Sequence, residues 1–195
     1  RRTYLIPVGD MTLDERRQQR ANADNQITQQ ALDLSLAPSE QGLVIRDVEP
    51  GFDLTIGASG TPLFSQDWLV AGPGVLGTEL QYIGQNLAGV DKVFAFVGIG
   101  VGDPLNGAAA ITPISIVRMT QGPASNQTLA VISIEKLVLR QEPWGYFAEP
   151  ITYAKGMFIR IMVTPRLAFV ANAARLPFEA RVCEPLSTLG FMPVI

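Results

Sequence analysis

The sequence predicts an all-β protein, an antiparallel β-sandwich preceded by a helical N-terminal arm. Three observations carry that expectation. From Leu36 onward, short runs rich in Val, Ile and Phe recur at intervals of roughly 8 to 15 residues, separated by Gly, Pro, Asn and Asp, which is the pattern of packed antiparallel sheets. Where a run is long enough to show a period, the period is two: Met157, Ile159, Ile161 and Val163 share one face, while Arg160 and Thr164 lie on the other. Prolines such as Pro73, Pro113, Pro143, Pro165 and Pro185 sit at the ends of apolar runs, where a missing amide costs no interior ladder bond.

Residues 1–35 differ in kind from the rest. Tyr4-Leu5-Ile6-Pro7-Val8 reads as an extended segment that needs a surface to lie on. Thr12 and Glu15 have the spacing of a capping box, in which hydroxyl and carboxylate each satisfy an orphan amide. A helix from about Leu13 to Ala31 follows. Its apolar positions, Leu13, Ala21, Ile27 and Ala31, are few and small for anchoring on a core. The favoured expectation is therefore an arm reaching a neighbouring copy, with Arg16, Arg17 and Arg20 making charge-assisted contacts there; the alternative is a helix packed on its own body.

Residues 36–185 read as one sandwich. Strands are expected near 42–48, 52–57, 67–70, 79–83, 92–99, 111–118, 128–139, 157–164, 167–171 and 177–183, with long loops at 57–66, 71–78, 100–110, 119–127 and 140–156. Gly98, Gly100 and Gly102 recur at alternate positions, predicting a flat strand face over which a backbone or an aromatic ring passes closely. They do not form a dinucleotide fingerprint, because the third glycine is at the wrong offset and Asp103-Pro104-Leu105-Asn106-Gly107 reads as a turn rather than a helix. Phe178, Ala180 and Val182 alternate with Glu179, Arg181 and Cys183, which places the lone cysteine on the less buried face. The tail, residues 186–195, carries no charge and holds Phe191 and Ile195. An apolar tail of this kind is expected to be covered by a neighbour, a membrane or its own sandwich.

Composition narrows the chemistry. The 195 residues are 47% hydrophobic and 17% charged, with no histidine and one cysteine. That removes Ser-His-Asp and Cys-His nucleophile systems, His-ligated zinc and an intrachain disulfide. A net charge of -3 argues against bulk nucleic-acid affinity. No apolar run approaches the length of a membrane-spanning helix, and the amino terminus has no signal-peptide core, so the chain reads as soluble. Glu135, Glu142, Glu149, Asp67 and Asp53 are available carboxylates, but nothing in the sequence pairs them for glycosidase chemistry. The segment Glu142-Pro143-Trp144-Gly145-Tyr146-Phe147-Ala148-Glu149-Pro150 is the densest aromatic cluster. Its Trp144, Tyr146 and Phe147 are candidates for an interface anchor, a ligand-stacking platform or a plug of the core. Asn126-Gln127-Thr128 matches the N-glycosylation triplet.

A sandwich of about eight strands with long loops, a polar-basic arm, an apolar tail, low charge and no catalytic set resembles the single jelly-roll capsid proteins of icosahedral viruses, above all the small ones of tailless bacteriophages, some with an internal membrane. The resemblance is one of layout over residues 36–185. It implies two facing four-stranded sheets and a structural virion protein, without enzymatic activity or cofactor, assembled in the host cytoplasm into an icosahedral shell. Implied partners are other copies of the chain, other capsid proteins and an underlying membrane, with no specific nucleic acid and no small-molecule substrate. Arg16, Arg17, Arg20, Trp144, Tyr146, Phe147, Phe191 and Ile195 are the expected inter-subunit contacts. The competing classes are a tail, spike or adhesin module, and a carbohydrate-binding sandwich using Trp68, Trp144 and Tyr146 as stacking rings.

Overall fold

The computed structural model describes residues 4–54, 68–102, 111–122 and 127–189. Two antiparallel sheets pack face to face, with one long helix on the outside of the first. In chain order the elements are β1 (Leu5–Pro7), α1 (Leu13–Asp33), β2 (Leu43–Asp47), β3 (Leu69–Val70), β4 (Leu80–Asn86), β5 (Val93–Gly100), β6 (Ile114–Gln121), β7 (Gln127–Ser133), α2 (Glu135–Leu139), β8 (Trp144–Tyr153), β9 (Phe158–Pro165), β10 (Ala174–Arg175) and β11 (Phe178–Pro185). The first sheet has the order β1-β8-β5-β11-β2, the second β4-β9-β6-β7, and β3 pairs with β10 in a small third ladder. The eight long strands pair in a nested way: β2 beside β11, β4 beside β9, β5 beside β8 and β6 beside β7.

The space between the sheets is filled from both inner faces. Ile159, Ile161 and Val163 of β9, Val117 and Met119 of β6, and Phe94 and Phe96 of β5 are all buried in one cluster. Phe178 is its aromatic hub: its ring centroid lies 5.3 Å from Phe96 edge-on, 5.6 Å from Trp68 and 6.2 Å from Tyr82, separations at which offset and edge-to-face pairs are attractive. Tyr82, which sits at a register shift on β4, is fully buried and hydrogen-bonded through its hydroxyl to the carbonyls of Trp68 and Leu176. Its phenol is pushed well above the ordinary value by burial.

Strand β5 is buried at all eight positions, and its two faces meet different partners. Phe94, Phe96 and Ile99 enter the inter-sheet core, whereas Val93, Ala95 and Val97 join Ala23, Ile27 and Ala31 of α1 in a second cluster with Cys183. The predicted close approach over the glycines is present at two of them. A Cβ on Gly98 would lie 2.9 Å from the Gly145 carbonyl oxygen and 3.3 Å from the Tyr146 ring, and one on Gly100 would lie 3.1 Å from the Trp144 ring. A Cβ on Gly102 would meet no atom of the described residues within 4 Å.

The helix corrects the expectation of an arm leaving the body. The capping box forms as predicted, with Glu15 N–H donating to Thr12 Oγ1 at 3.2 Å and Thr12 N–H to Glu15 Oε2 at 2.7 Å. Ala23, Ile27 and Ala31, spaced by four, then lie flat on the sheet and are fully buried. Ala23 and Ala31 are small enough to let the helix approach a sheet face that is itself small-residued, with Ile27 the one large side chain between them. The same docking corrects the placement of Cys183: it faces away from the inter-sheet core as its parity predicts, yet α1 covers it completely.

Other boundaries also move. Residues 140–156, expected as a loop, contain β8. Between Tyr146, opposite Gly98, and Ile151, opposite Phe96, β8 carries extra residues that bulge outward and accommodate Pro150. Leu5 of β1 pairs with Phe147 in that region, so the extended N-terminal segment finds its surface on the edge of β8. The expected strand 128–139 ends at Ser133 and continues as α2, whose Leu137 enters the core. The expected strand 167–171 reduces to one bridge between Phe169 and Gly74. Of 52–57, Phe52 and Asp53 form a turn and Leu54 a bridge to Pro50. Residues 55–57, Asp67, the turn at 103–107, Asn126, Phe191 and Ile195 lie outside the described residues.

Candidate assembly surface

Polar and charged groups on α1 complete its docking. Gln19 donates to the Phe147 carbonyl at 3.1 Å and Gln30 to Thr152 Oγ1 at 3.0 Å. Arg181 projects from β11 on the helix side and holds Asp24 at 2.7 Å and Asp47 at 2.7 Å, while Arg20 reaches the same Asp47 carboxylate at 2.6 Å and Glu179 at 3.8 Å. Burial works to raise the Asp47 pKa, but Arg181 and Arg20 outweigh it and hold the carboxyl below the usual range. Charge-assisted pairs of this geometry fix orientation as well as adding attraction.

A second network closes the β2 edge of the same sheet. Arg46 of β2 grips Asp53 with both terminal nitrogens, at 2.6 and 2.7 Å, and donates through Nε to Glu184 at 2.8 Å. Lys92 lies 2.7 Å from Asp53 and 3.3 Å from Glu184. Asp53 also accepts from the Glu49 amide at 2.9 Å. Burial alone would raise the Asp53 pKa; the bonds from Arg46, Lys92 and the Glu49 amide reverse the sign and depress it. Phe52 lies over both cations, 5.8 Å from Arg46 and 5.4 Å from Lys92, within cation–π range. Two carboxylates sharing two cations form a staple between β2, β11 and the approach to β5. Asp53, held ionised, is no proton donor near neutral pH.

The sequence-predicted contact residues separate into different settings. Arg20 is engaged by its own sheet. Arg16 returns to its own helix, its Nε donating to the Thr12 carbonyl at 3.4 Å, and Arg17 is exposed, 3.6 Å from Asp14 one turn away. Phe147 is 1% exposed in the inter-sheet core, which corrects its assignment as a surface contact. Trp144 and Tyr146 are half-buried on the opposite face of β8, Trp144 against Gly100 and Tyr146 beside the helix cluster. Burial raises the Tyr146 phenol, with Glu179 adding to the effect. With Trp68 packed on Phe178, these three rings are divided between the core, a glycine groove and the helix flank, and do not make one stacking platform. Of the carboxylates weighed for hydrolysis, Asp53 is in the staple and Glu142 accepts from the Gly9 amide at 3.1 Å. The Cys183 thiol is pushed up to about 11, chiefly by burial and further by Glu184 and Asp24, so it is protonated and covered at neutral pH.

Sequence reasoning missed the residues that tie the helix down. Asp24 and Arg181 are separated by 157 positions, and no local signal joins them. Among the exposed apolar groups, Val75, Leu76, Leu139, Leu167 and Val170 lie in or beside loops and are between 58% and 84% exposed, while Ile116 and Val131 are exposed on strands of the second sheet. No protein-family model matches the sequence, and no curated protein or solved structure matches it either.

Proposed function

We propose that the sandwich is a jelly roll and that the chain is a capsid subunit, a structural protein that assembles with copies of itself into a closed shell. The observation that carries this proposal is the nested strand pairing. If the eight long strands are numbered in order from β2, β4, β5, β6, β7, β8, β9 to β11, the first lies beside the eighth, the second beside the seventh, the third beside the sixth and the fourth beside the fifth. One long antiparallel hairpin, folded over and rolled up, has this order, which is that of the double Greek-key sandwich. Exposed apolar side chains on loops at the rim supply the kind of surface that partners cover. The divided positions of Trp68, Trp144 and Tyr146 favour assembly over the carbohydrate-binding alternative.

The test is multi-angle light scattering on the purified full chain, followed by negative-stain electron microscopy. Closed shells, rings or sheets of regular subunits are expected. A protein that stays monomeric at high concentration and binds a glycan array would overturn the assignment.

A further inference from the structure

We propose that β7 is a docking edge: it accepts an extended segment of a partner polypeptide as a further strand of its sheet, with one apolar side chain of that segment seated in the cleft beside Ile132. The proposal goes beyond the capsid assignment and does not depend on it. Strand β7 ends its sheet and pairs only with β6. One bond fixes the direction of its main-chain groups. The Ile134 amide donates to the Ser115 carbonyl at 2.9 Å, in the same register that sets Ser133 opposite Ile116 and Ile132 opposite Val117. Hydrogen-bonded pairs alternate along an antiparallel ladder, so Ile132 and Ala130 direct their amides and carbonyls to β6, while those of Val131 and Ser133 point away from the sheet.

The other terminal strands of the two large sheets are blunted against such pairing. Strand β1 has three residues and ends on Pro7, β2 carries Arg46 and Asp47 in ion pairs, and β4 contains a register shift between Gln81 and Ile83. Strand β7 contains neither proline nor charge. Its own register shift leaves Leu129 unpaired and residues 130–133 regular.

Beside this edge lies a cleft of about 430 Å³, walled by Tyr4 and Leu5 at the start of β1, Ile132 of β7 and Leu137 of α2, within the size range of ligand pockets. Side chains directly opposite each other across a ladder share a face, so a residue laid against Ile132 turns inward with it, towards the cleft. Lys136 is the one charged side chain in the lining. Asp10, whose carboxylate feels its charge, is held by both terminal nitrogens of Arg140 at 2.7 Å. An acidic residue at the end of the segment nearest α2 complements Lys136.

Edge and cleft together identify the occupant. A small apolar molecule would fill the cleft but leave the outward amides and carbonyls of Val131 and Ser133 to water. The β7 of a second copy would pair with those groups, but the side chains it turns inward, Ala130 and Ile132, are buried in its own core and are not free to enter the cleft. An extended segment with an uncommitted inward side chain meets both requirements. In strand addition of this kind the main-chain bonds give affinity and the pocketed side chain gives selectivity.

The probe is the peptide acetyl-DTLTVTK-amide with fluorescein on its lysine, whose leucine lies opposite Ile132, and its first two threonines opposite Ser133 and Val131, when it runs antiparallel to β7. Titrated with the full chain and read by fluorescence anisotropy, it should bind with a Kd on the order of 100 µM, and hydrogen exchange should slow across residues 127–137. N-methylation of the two threonines flanking the leucine removes the donors aimed at the Val131 and Ser133 carbonyls, and should weaken binding at least about tenfold. Replacing the leucine by serine should weaken it by about tenfold or more. On the protein, Val131→Pro deletes an amide that faces outward and no ladder bond, so binding should be lost while the melting temperature stays within about 4 °C of the parent. The N-methylated peptide needs no variant and carries the test even if Val131→Pro does not fold. Four results would each overturn the proposal: no binding by the parent chain, undiminished binding of the N-methylated peptide, exchange slowed only on another surface, or a concentration-dependent dimer of the parent that Val131→Pro abolishes, which would give the edge to a second copy.

Discussion

The sheet β1-β8-β5-β11-β2 carries α1 on its outer face, whereas the outer face of β4-β9-β6-β7 meets solvent. On β9, Ile159, Ile161 and Val163 are buried and Phe158, Arg160, Met162 and Thr164 only half so, while Ile116 and Val131 on neighbouring strands are exposed. On β5 no position is open at all. Both sheets bury their inner faces for the same hydrophobic reason. They differ outside because one presents small residues and Arg181 to a helix bearing small residues and Asp24, and the other presents longer side chains to water. A sheet buried on both faces tolerates less change per residue, since every side chain then has a close-packed neighbour.

The largest expected contrast is between charge pairs. Asp53→Asn leaves Arg46 and Lys92 with one fewer carboxylate in a closed setting, so guanidinium denaturation should show a loss of roughly 3 to 5 kcal/mol. Glu79→Gln, which removes the partner of Arg118 on the open face, should cost about 0.5 kcal/mol. Because the folded pKa of Asp53 is depressed, its contribution is complete above the unfolded aspartate value of about 3.9 and is lost as pH falls through the folded value. The stability gap between the parent and Asp53→Asn should accordingly be constant from pH 7 to pH 5 and shrink at more acidic pH. A gap that widens on acidification would contradict the pairing.

Next in size is the helix contact. Ile27→Ala should destabilise by about 3 kcal/mol, as for a fully buried aliphatic side chain, against about 1 kcal/mol for Ile116→Ala on the open face. Equal losses would mean that α1 contributes no more than an exposed strand position. Smaller again is a pair of glycines. A methyl group on Gly98 meets a backbone carbonyl, and Gly98→Ala should cost roughly 1 to 3 kcal/mol by overpacking. On Gly84 it meets the end of the Gln81 side chain rather than backbone, so Gly84→Ala should cost less than Gly98→Ala. The last contrast concerns access rather than stability: Cys183 should resist a thiol reagent in the native protein and react readily in Ala23→Glu, where a charge lifts the helix. Rapid labelling of the parent would show that the covered face opens on its own.

Parity was legible in the sequence. The alternation of Phe178, Ala180 and Val182 with Arg181 and Cys183, and of Ile159, Ile161 and Val163 with Arg160, assigns each residue its side of a strand, because successive side chains on an extended backbone must point in opposite directions. The start of α1 was equally readable, since Thr12 and Glu15 satisfy each other's amides within one turn. The strand β8 was not: its alternation is interrupted by the bulge that carries Pro150, and only its pairing with β5 on both sides of the bulge makes it one strand. Of the candidate contacts, Arg20 and Phe147 have partners in their own chain, Asp47 and Leu5, that lie far away along the sequence and leave no local signal.

Local sequence thus determined which side chains share a face, where turns break the strands and where the helix begins, all consequences of backbone geometry over a few residues. Only the tertiary structure decided which faces are covered. Ala23, Ile27 and Ala31 make too sparse a stripe to announce a docking helix, and form one because Ala95, Val97 and Cys183 allow close approach, while the Asp24–Arg181 pair spans 157 positions to hold them there. Hydrophobic burial and ion pairing depend on what comes within a few ångströms in space, and separation along the chain leaves no periodic trace of that.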